Sequence, residues 1–324
     1  MLQAGEVQYQ GDPPPSGNTG VSMTSGSWVG VHWLTGTTFS YGVGDVLSRL
    51  QDLTGIDPIT LPRGARGYRV AHRLGPVVVF SEGNDDMGVS VEVEGEGCEL
   101  LGFDGLTSLW ADLNLRVSRI DLAADGAPFT PAESWAAWTA GQVRTKVKAS
   151  TRATTGREAW RSGSWMSNAE GDTATFGSPR SNRLIRVYDR RGATRVELQV
   201  RKEAADVIAT DVFLRPVEEL PRAVLGHIRA FVDFVDVAAD SNIGRAPLLS
   251  FWDAFCGHVE KAQVRLTGTV LRTFEKIDEW IRRQVAPSFA VWMQRLGPDK
   301  VTELFQLGKA RWTRQHEQLA AGLT

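Results

Sequence analysis

The chain has 324 residues but only two cysteines, Cys98 and Cys256. That is too few for a disulfide framework, and neither has partners at zinc-site spacing, so both are expected as buried thiols. No run of 18 or more apolar residues occurs, and no basic segment precedes an apolar stretch at the amino terminus. Neither a membrane span nor a secretory signal is therefore supported, and a soluble, cytoplasmic protein is expected. No glycine loop followed by Lys-Ser/Thr is present, so nothing points to a nucleotide triphosphate. Tyrosine is scarce as well, with four in the chain.

The formal net charge of −2 hides a segregation. Between Arg144 and Lys202 there are 14 Lys and Arg against 5 Asp and Glu, which leaves 22 against 33 for the rest of the chain. A basic surface on an acidic body suits a polyanion, and nucleic acid is the commonest one.

With 42% hydrophobic residues the chain is long enough for two compact domains. Residues 1–25, with Pro13-Pro14-Pro15, read as a flexible tail. Strand alternation begins at Ser27–Trp33, and an amphipathic helix over Val43–Leu53 stops at Gly55. Strand-like runs follow at Tyr68–Arg73, Val77–Ser81 and Val89–Glu94, then a short helix near Leu106–Leu113 and a strand at Arg116–Asp125. Thr130-Pro131-Ala132-Glu133 opens a further helix, with Thr as N-cap, Pro at N1, Glu at N3 and Gly141 as the stop. Strands near Thr173–Gly177, Leu184–Asp189 and Val196–Arg201 follow. The order predicts an α+β domain over 26–203, with a mostly antiparallel central sheet, flanking helices and two related halves. From 204 to 324 the pattern reads as a helical C-terminal region.

Three of the strands are two-faced. Period 2 puts Leu184, Arg186, Tyr188 and Arg190 opposite Ile185 and Val187. It puts Arg119, Asp121, Ala123 and Asp125 opposite Ile120, Leu122 and Ala124, and Arg195, Glu197, Gln199 and Arg201 opposite Val196, Leu198 and Val200. Alternating charge usually marks the wet side of an antiparallel sheet, and a strand tyrosine usually packs. If these strands pair, however, one sheet face gathers Asp, Glu, Arg and Tyr, and arginine's rigid fork suits phosphate.

The motifs Arg119-Ile120-Asp121-Leu122-Ala123-Ala124-Asp125, Phe176-Gly177-Ser178-Pro179-Arg180-Ser181, Arg186-Val187-Tyr188-Asp189-Arg190 and Arg195-Val196-Glu197-Leu198-Gln199 come in this order. Together they resemble the replication initiation factor family, the rolling-circle initiators of Gram-positive plasmids and phages and the related conjugative relaxases. Val93-Glu94-Gly95-Glu96-Gly97-Cys98 is similar to that family's glycine-cysteine segment. The resemblance implies DNA strand nicking through a 5′-phosphotyrosine on Tyr188, with Arg186 beside it as a catalytic cation. It implies Mg2+ or Mn2+ on Asp121, Asp125 and Glu197, and DNA contacts from Arg119, Arg180, Arg183, Arg190 and Arg195. DNA at a replication or transfer origin, with a single-stranded nick site, is the expected partner, with a helicase or coupling protein and a homodimer as further possibilities. A phenol needs a nearby cation or base to act at neutral pH, and Arg186 is placed to lower its pKa. The histidines include no His-hydrophobe-His pair of the kind the other large rolling-circle group uses for metal. A conjugative relaxase and a non-catalytic DNA-binding regulator remain alternative readings.

Overall fold

The computed structural model describes residues 20–22, 28–145, 149–151, 159–169, 171–190, 192–240, 242–257, 259–262 and 281–309. The first half runs β1 (Gly20–Ser22), β2 (Trp28–Thr38), α1 (Val43–Thr54), β3 (Ile59–Thr60), β4 (Val70–Leu74), β5 (Val77–Ser81), β6 (Val89–Val93) and α2 (Gly95–Asp112). The second runs β7 (Arg116–Ala127), α3 (Pro131–Thr139), β8 (Val143–Thr145), β9 (Ala149–Thr151), β10 (Ala159–Arg161), β11 (Gly163–Asn168), β12 (Gly171–Phe176), β13 (Arg183–Arg190) and β14 (Ala193–Arg201). After it come α4 (Glu203–Phe213), α5 (Leu220–Phe231), β15 (Val232–Phe234) and α6 (Ser250–Cys256), then helices over Ala286–Leu296 and Lys300–Lys309.

Eleven strands form one sheet in the order β11-β12-β13-β14-β7-β2-β6-β5-β4-β3, with β1 added beside β2. Every strand pair in it is antiparallel. The α+β class and antiparallel sheet expected from the sequence are thus observed. Most of the predicted tail lies outside the described residues, but Gly20–Ser22 pairs with Trp28–Gly30 as a strand.

The two related halves are visible in the connectivity. From β2 the chain passes through α1 into the β4-β5-β6 meander, which returns β6 beside β2; from β7 it passes through α3 and on to the β12-β13-β14 meander, which returns β14 beside β7. Equating Glu92, opposite Thr35, with Glu197, opposite Ala123, equates Trp33 with Asp121 two residues along. Trp33 and Asp121 are themselves cross-strand partners. A pseudo-two-fold axis between β2 and β7 requires this.

One face of the sheet is apolar. Val31, Ile120, Leu122, Ile185, Val187, Val196, Leu198 and Val200 are buried there, as the alternation predicted. Each such aliphatic side chain stabilises the fold by roughly 1.5–3 kcal/mol. The face is covered by α2 on β2, by α4 on β7 and β14, and by α5 on β2 and β7. Ile208, Val212, Leu220, Val224, Ile228 and Trp252 therefore belong to the same core cluster as the strands. The boundary expected after 203 falls at the first residue of α4, and the hydrophobic core cluster continues across it as far as Cys256. Both cysteines are buried free thiols, and among the described residues no helix is long and apolar enough to cross a membrane.

Local signals held where chemistry was explicit. Thr130 Oγ1 accepts from the Glu133 amide at 3.2 Å while the Thr130 amide donates to Glu133 Oε2 at 2.7 Å, the reciprocal bonds of a capping box. The helix expected near 106–113 is longer, running from Gly95 and kinked at Gly102, where φ is 70°.

Candidate active site

The opposite face of the sheet carries the polar set. Register places Arg186 opposite Glu197 and Tyr188 opposite Arg195 between β13 and β14. Between β14 and β7 it places Glu197 opposite Ala123, Gln199 opposite Asp121 and Arg195 opposite Asp125. Glu197 is therefore central. It is buried, at 2% exposure, and both its oxygens are occupied. Arg186 Nη2 donates to Oε1. The Tyr188 hydroxyl donates to Oε2 at 3.0 Å, and His32 Nδ1 lies 2.9 Å from the same oxygen.

Burial alone would raise the Glu197 pKa, but hydrogen bonding from His32 and the charge of Arg186 prevail and hold it at about 2. Tyr188 moves the other way: burial first, then the negative charge of Glu197, pushes the phenol up to about 12. The expectation that Arg186 would lower it does not describe this state, because Arg186 spends its charge on carboxylates. Asp121, 1% exposed, is raised by burial despite a two-pronged ion pair from Arg119 at 3.0 and 2.6 Å. Gln199 Nε2 donates to it at 3.2 Å, and Arg186 Nη2 stands 3.6 Å from its Oδ2. One guanidinium nitrogen thus bridges Asp121 and Glu197.

Asp125 stands apart. Four residues along one strand separate it from Asp121 by about 13 Å, beyond the reach of two aspartates to one ion at 2.3–2.6 Å. Its oxygens take the fork of Arg195, with Nη2 at 2.6 Å, and Arg190 approaches at 3.9 Å. Among the described residues no three His, Cys, Asp or Glu are grouped as ligands for one ion. The two carboxylates that fit a cation together are Asp121 and Glu197, since a positive nitrogen already sits between them.

The five arginines expected to contact DNA have different fates. Arg195 is 1% exposed and lies over the Trp28 ring at 5.0 Å, a structural position out of reach of DNA. Arg119 is committed to Asp121 and stacks on Trp33 at 4.0 Å. Arg190 reaches Glu99 at 3.3 Å. Arg180 is exposed in the loop before β13, and Arg183 is half-buried with its Nη2 lacking a partner.

His32 is the member that sequence reasoning missed. A bulge in β2, where the register shifts between Val31 and Trp33, sends both His32 and Trp33 to the polar side, a common use of bulges beside functional sites. Alternation from Trp28 also put His32 on that face, but only the strand order shows that it meets Glu197. In the other half Glu92 occupies the position of Glu197, and Phe80 that of Tyr188, two residues beyond the cross-strand partner of the glutamate. There Arg66 pairs with Glu92 and covers Phe80 at 5.5 Å. The first half therefore has a phenylalanine where the second has Tyr188.

The fold is α+β, and the polar face of its sheet gathers Tyr188, Glu197, Arg186, Asp121 and His32. Eight chains of solved structures match; one is a rolling-circle replication initiator protein from Geobacillus stearothermophilus, 23% identical, with a TM-score of 0.56, covering 76% of this chain and 100% of its own. That likeness shows the fold. The family model described as replication initiation factor matches residues 115–306, more than half of the chain, and the chain belongs to that family. No curated protein matches it.

Proposed function

We propose that the protein nicks one DNA strand at a specific site and rejoins it through Tyr188, initiating rolling-circle replication of a plasmid, phage or integrative element. What carries this reading is the half-buried Tyr188 hydroxyl resting on Glu197 beside Arg186, in a member of a replication initiation family. The phenol oxygen attacks phosphorus and the bond to the 3′ oxygen breaks. The products are a 5′ phosphate joined to Tyr188 and a free 3′ hydroxyl. The proton lost by the phenol, through Glu197 Oε2, balances the one gained by the 3′ oxygen. The covalent link conserves the phosphodiester, so rejoining needs no nucleotide triphosphate.

With its pKa at about 12 the phenol is a resting nucleophile. Arg186, 37% exposed on its side chain, is the cation positioned to take a phosphate oxygen. Turning to the phosphate removes positive charge from Glu197 and makes that carboxylate a better proton acceptor. Asp121 and Glu197 would hold a hard divalent ion, Mg2+ or Mn2+, whose contribution is to polarise the scissile phosphate and stabilise charge on the leaving oxygen. Asp125 is left out of that set. Arg180 and Arg183 flank the approach to β13 and serve as DNA contacts. A helicase and a second copy of the chain, in the cytoplasm, complete the expected setting.

The test is nicking of supercoiled DNA carrying the protein's own replication region, with Mg2+ or Mn2+. Wild type should give an open circle with protein on the 5′ end, and Tyr188→Phe should give neither. Nicking by Tyr188→Phe at the wild-type rate would refute the assignment.

A further inference from the structure

His32 lies outside the segment that defines the family membership, residues 115–306, yet it reaches the centre of the polar cluster. Its Nδ1 lies 2.9 Å from Glu197 Oε2, the oxygen that also receives the Tyr188 hydroxyl at 3.0 Å. A carboxylate oxygen only accepts, so Nδ1 carries the hydrogen. The far edge of the imidazole fits against Gly95, the first residue of α2. A Cβ at position 95 would stand 2.6 Å from His32 Nε2 and 3.2 Å from both Cδ2 and Cε1. Gly95 is not among the residues with positive φ, and glycine is a poorer helix former than alanine. Neither backbone conformation nor helix propensity therefore requires glycine there. The space for the ring does.

We propose that His32, seated in the notch left by Gly95, is a positioning residue that holds the Glu197 carboxylate in the orientation that receives the Tyr188 hydroxyl. The inference rests on the reading of Tyr188 as the nucleophile. Its physical basis is the number of donors on a buried carboxylate. Glu197 is held by Arg186, Tyr188 and His32. During strand cleavage Arg186 turns toward phosphate and Tyr188 gives up its hydrogen. Of these three donors His32 is then the one that stays, and without it Oε2 loses the last hydrogen bond that fixes the terminal torsion of Glu197, a broad and roughly two-fold one. The Gly95 notch keeps the ring from following.

Substitution separates this role from a packing role. Asparagine at 32 places an amide nitrogen near the position of Nδ1, whereas glutamine places it near that of Nε2. In single-turnover cleavage of a single-stranded oligonucleotide bearing the sequence trapped by the wild-type protein, His32→Ala and His32→Gln should be slower by roughly 10- to 100-fold, the usual effect of losing an outer hydrogen-bond partner. The oligonucleotide Kd should not change, and His32→Asn should recover most of the rate. Gly95→Ala should slow cleavage as His32→Ala does, because a Cβ 2.6 Å from Nε2 must displace the ring, while the variant stays folded by circular dichroism. Equal rates in His32→Gln and His32→Asn, or a wild-type rate in Gly95→Ala, would overturn the proposal. Tyr188→Phe in the same assay keeps the two readings apart. Cleavage by that variant removes the nucleophile assignment itself, whereas an inactive Tyr188→Phe alongside a fully active His32→Ala removes only the role of His32.

Discussion

Asp125→Ala should destabilise the protein far more than Arg195→Met, although the two residues form one ion pair. The asymmetry comes from burial: the Arg195 side chain is 2% exposed and that of Asp125 is 23%. Removing the aspartate leaves a guanidinium enclosed by the sheet face and Trp28, with Nη1 already lacking a partner. Stranding a buried charge costs about 3–5 kcal/mol. Removing the arginine instead leaves a carboxylate that water and Arg190 reach, and methionine fills much of the vacated volume, so about 1 kcal/mol is expected. At roughly 2–4 °C per kcal/mol for domains of this order of size, Asp125→Ala should lower Tm by about 10 °C. The double variant should resemble Arg195→Met, so the coupling energy in a urea-unfolding cycle should equal the whole Asp125→Ala cost, about 3–5 kcal/mol. The same variants test the ion assignment, because Asp125→Ala that still folds should need the same Mg2+ or Mn2+ concentration for nicking as wild type. Equal losses from the two single variants, with additive effects in the double, would show that the burial argument fails.

Glu197→Gln removes the charge that adds to burial in raising the Tyr188 phenol, so its pKa should fall from about 12 toward the ordinary tyrosine value, read by ultraviolet difference titration against Tyr188→Phe. Asp211, held at about 2 against burial by His227 and Arg215, is depressed from its unfolded value. Its contribution is present above the ordinary aspartate range near pH 4 and is lost as pH falls through about 2. Over that window wild type should lose about 2 kcal/mol that Asp211→Asn does not, measured by denaturant unfolding at each pH. Thr130→Ala removes the N-cap of α3 and should cost about 1 kcal/mol in the same unfolding assay.

Much of the site was legible because strands carry a period of two. The faces of β7, β13 and β14 follow from Ile120, Leu122, Ile185, Val187, Val196 and Leu198 without any knowledge of their partners, and the polar faces follow with them. Distance along a strand was equally legible. Asp121 and Asp125 share a face but stand four residues apart, about 13 Å along a strand, a spacing that argues against the common ion the family resemblance implied. Other features depend on strand order. That Arg195 is buried, and that it answers Asp125, follows from the register of β14 on β7. His32 meets Glu197 only because β2 lies next to β7, one strand from β14, and bulges at that point. The helices after residue 203 show their own amphipathicity in Ile208, Val212, Val224 and Ile228, but nothing in their spacing says that the surface they cover is the sheet.

Peptide mapping of the covalent protein–DNA adduct by mass spectrometry tests the central claim most directly. The chain offers four tyrosines, Tyr9, Tyr41, Tyr68 and Tyr188. The 5′-phosphate is predicted on the peptide containing Tyr188, with none on the other three. A phosphate found on Tyr9, Tyr41 or Tyr68, or strand cleavage with no nucleotide attached to any tyrosine, would contradict it.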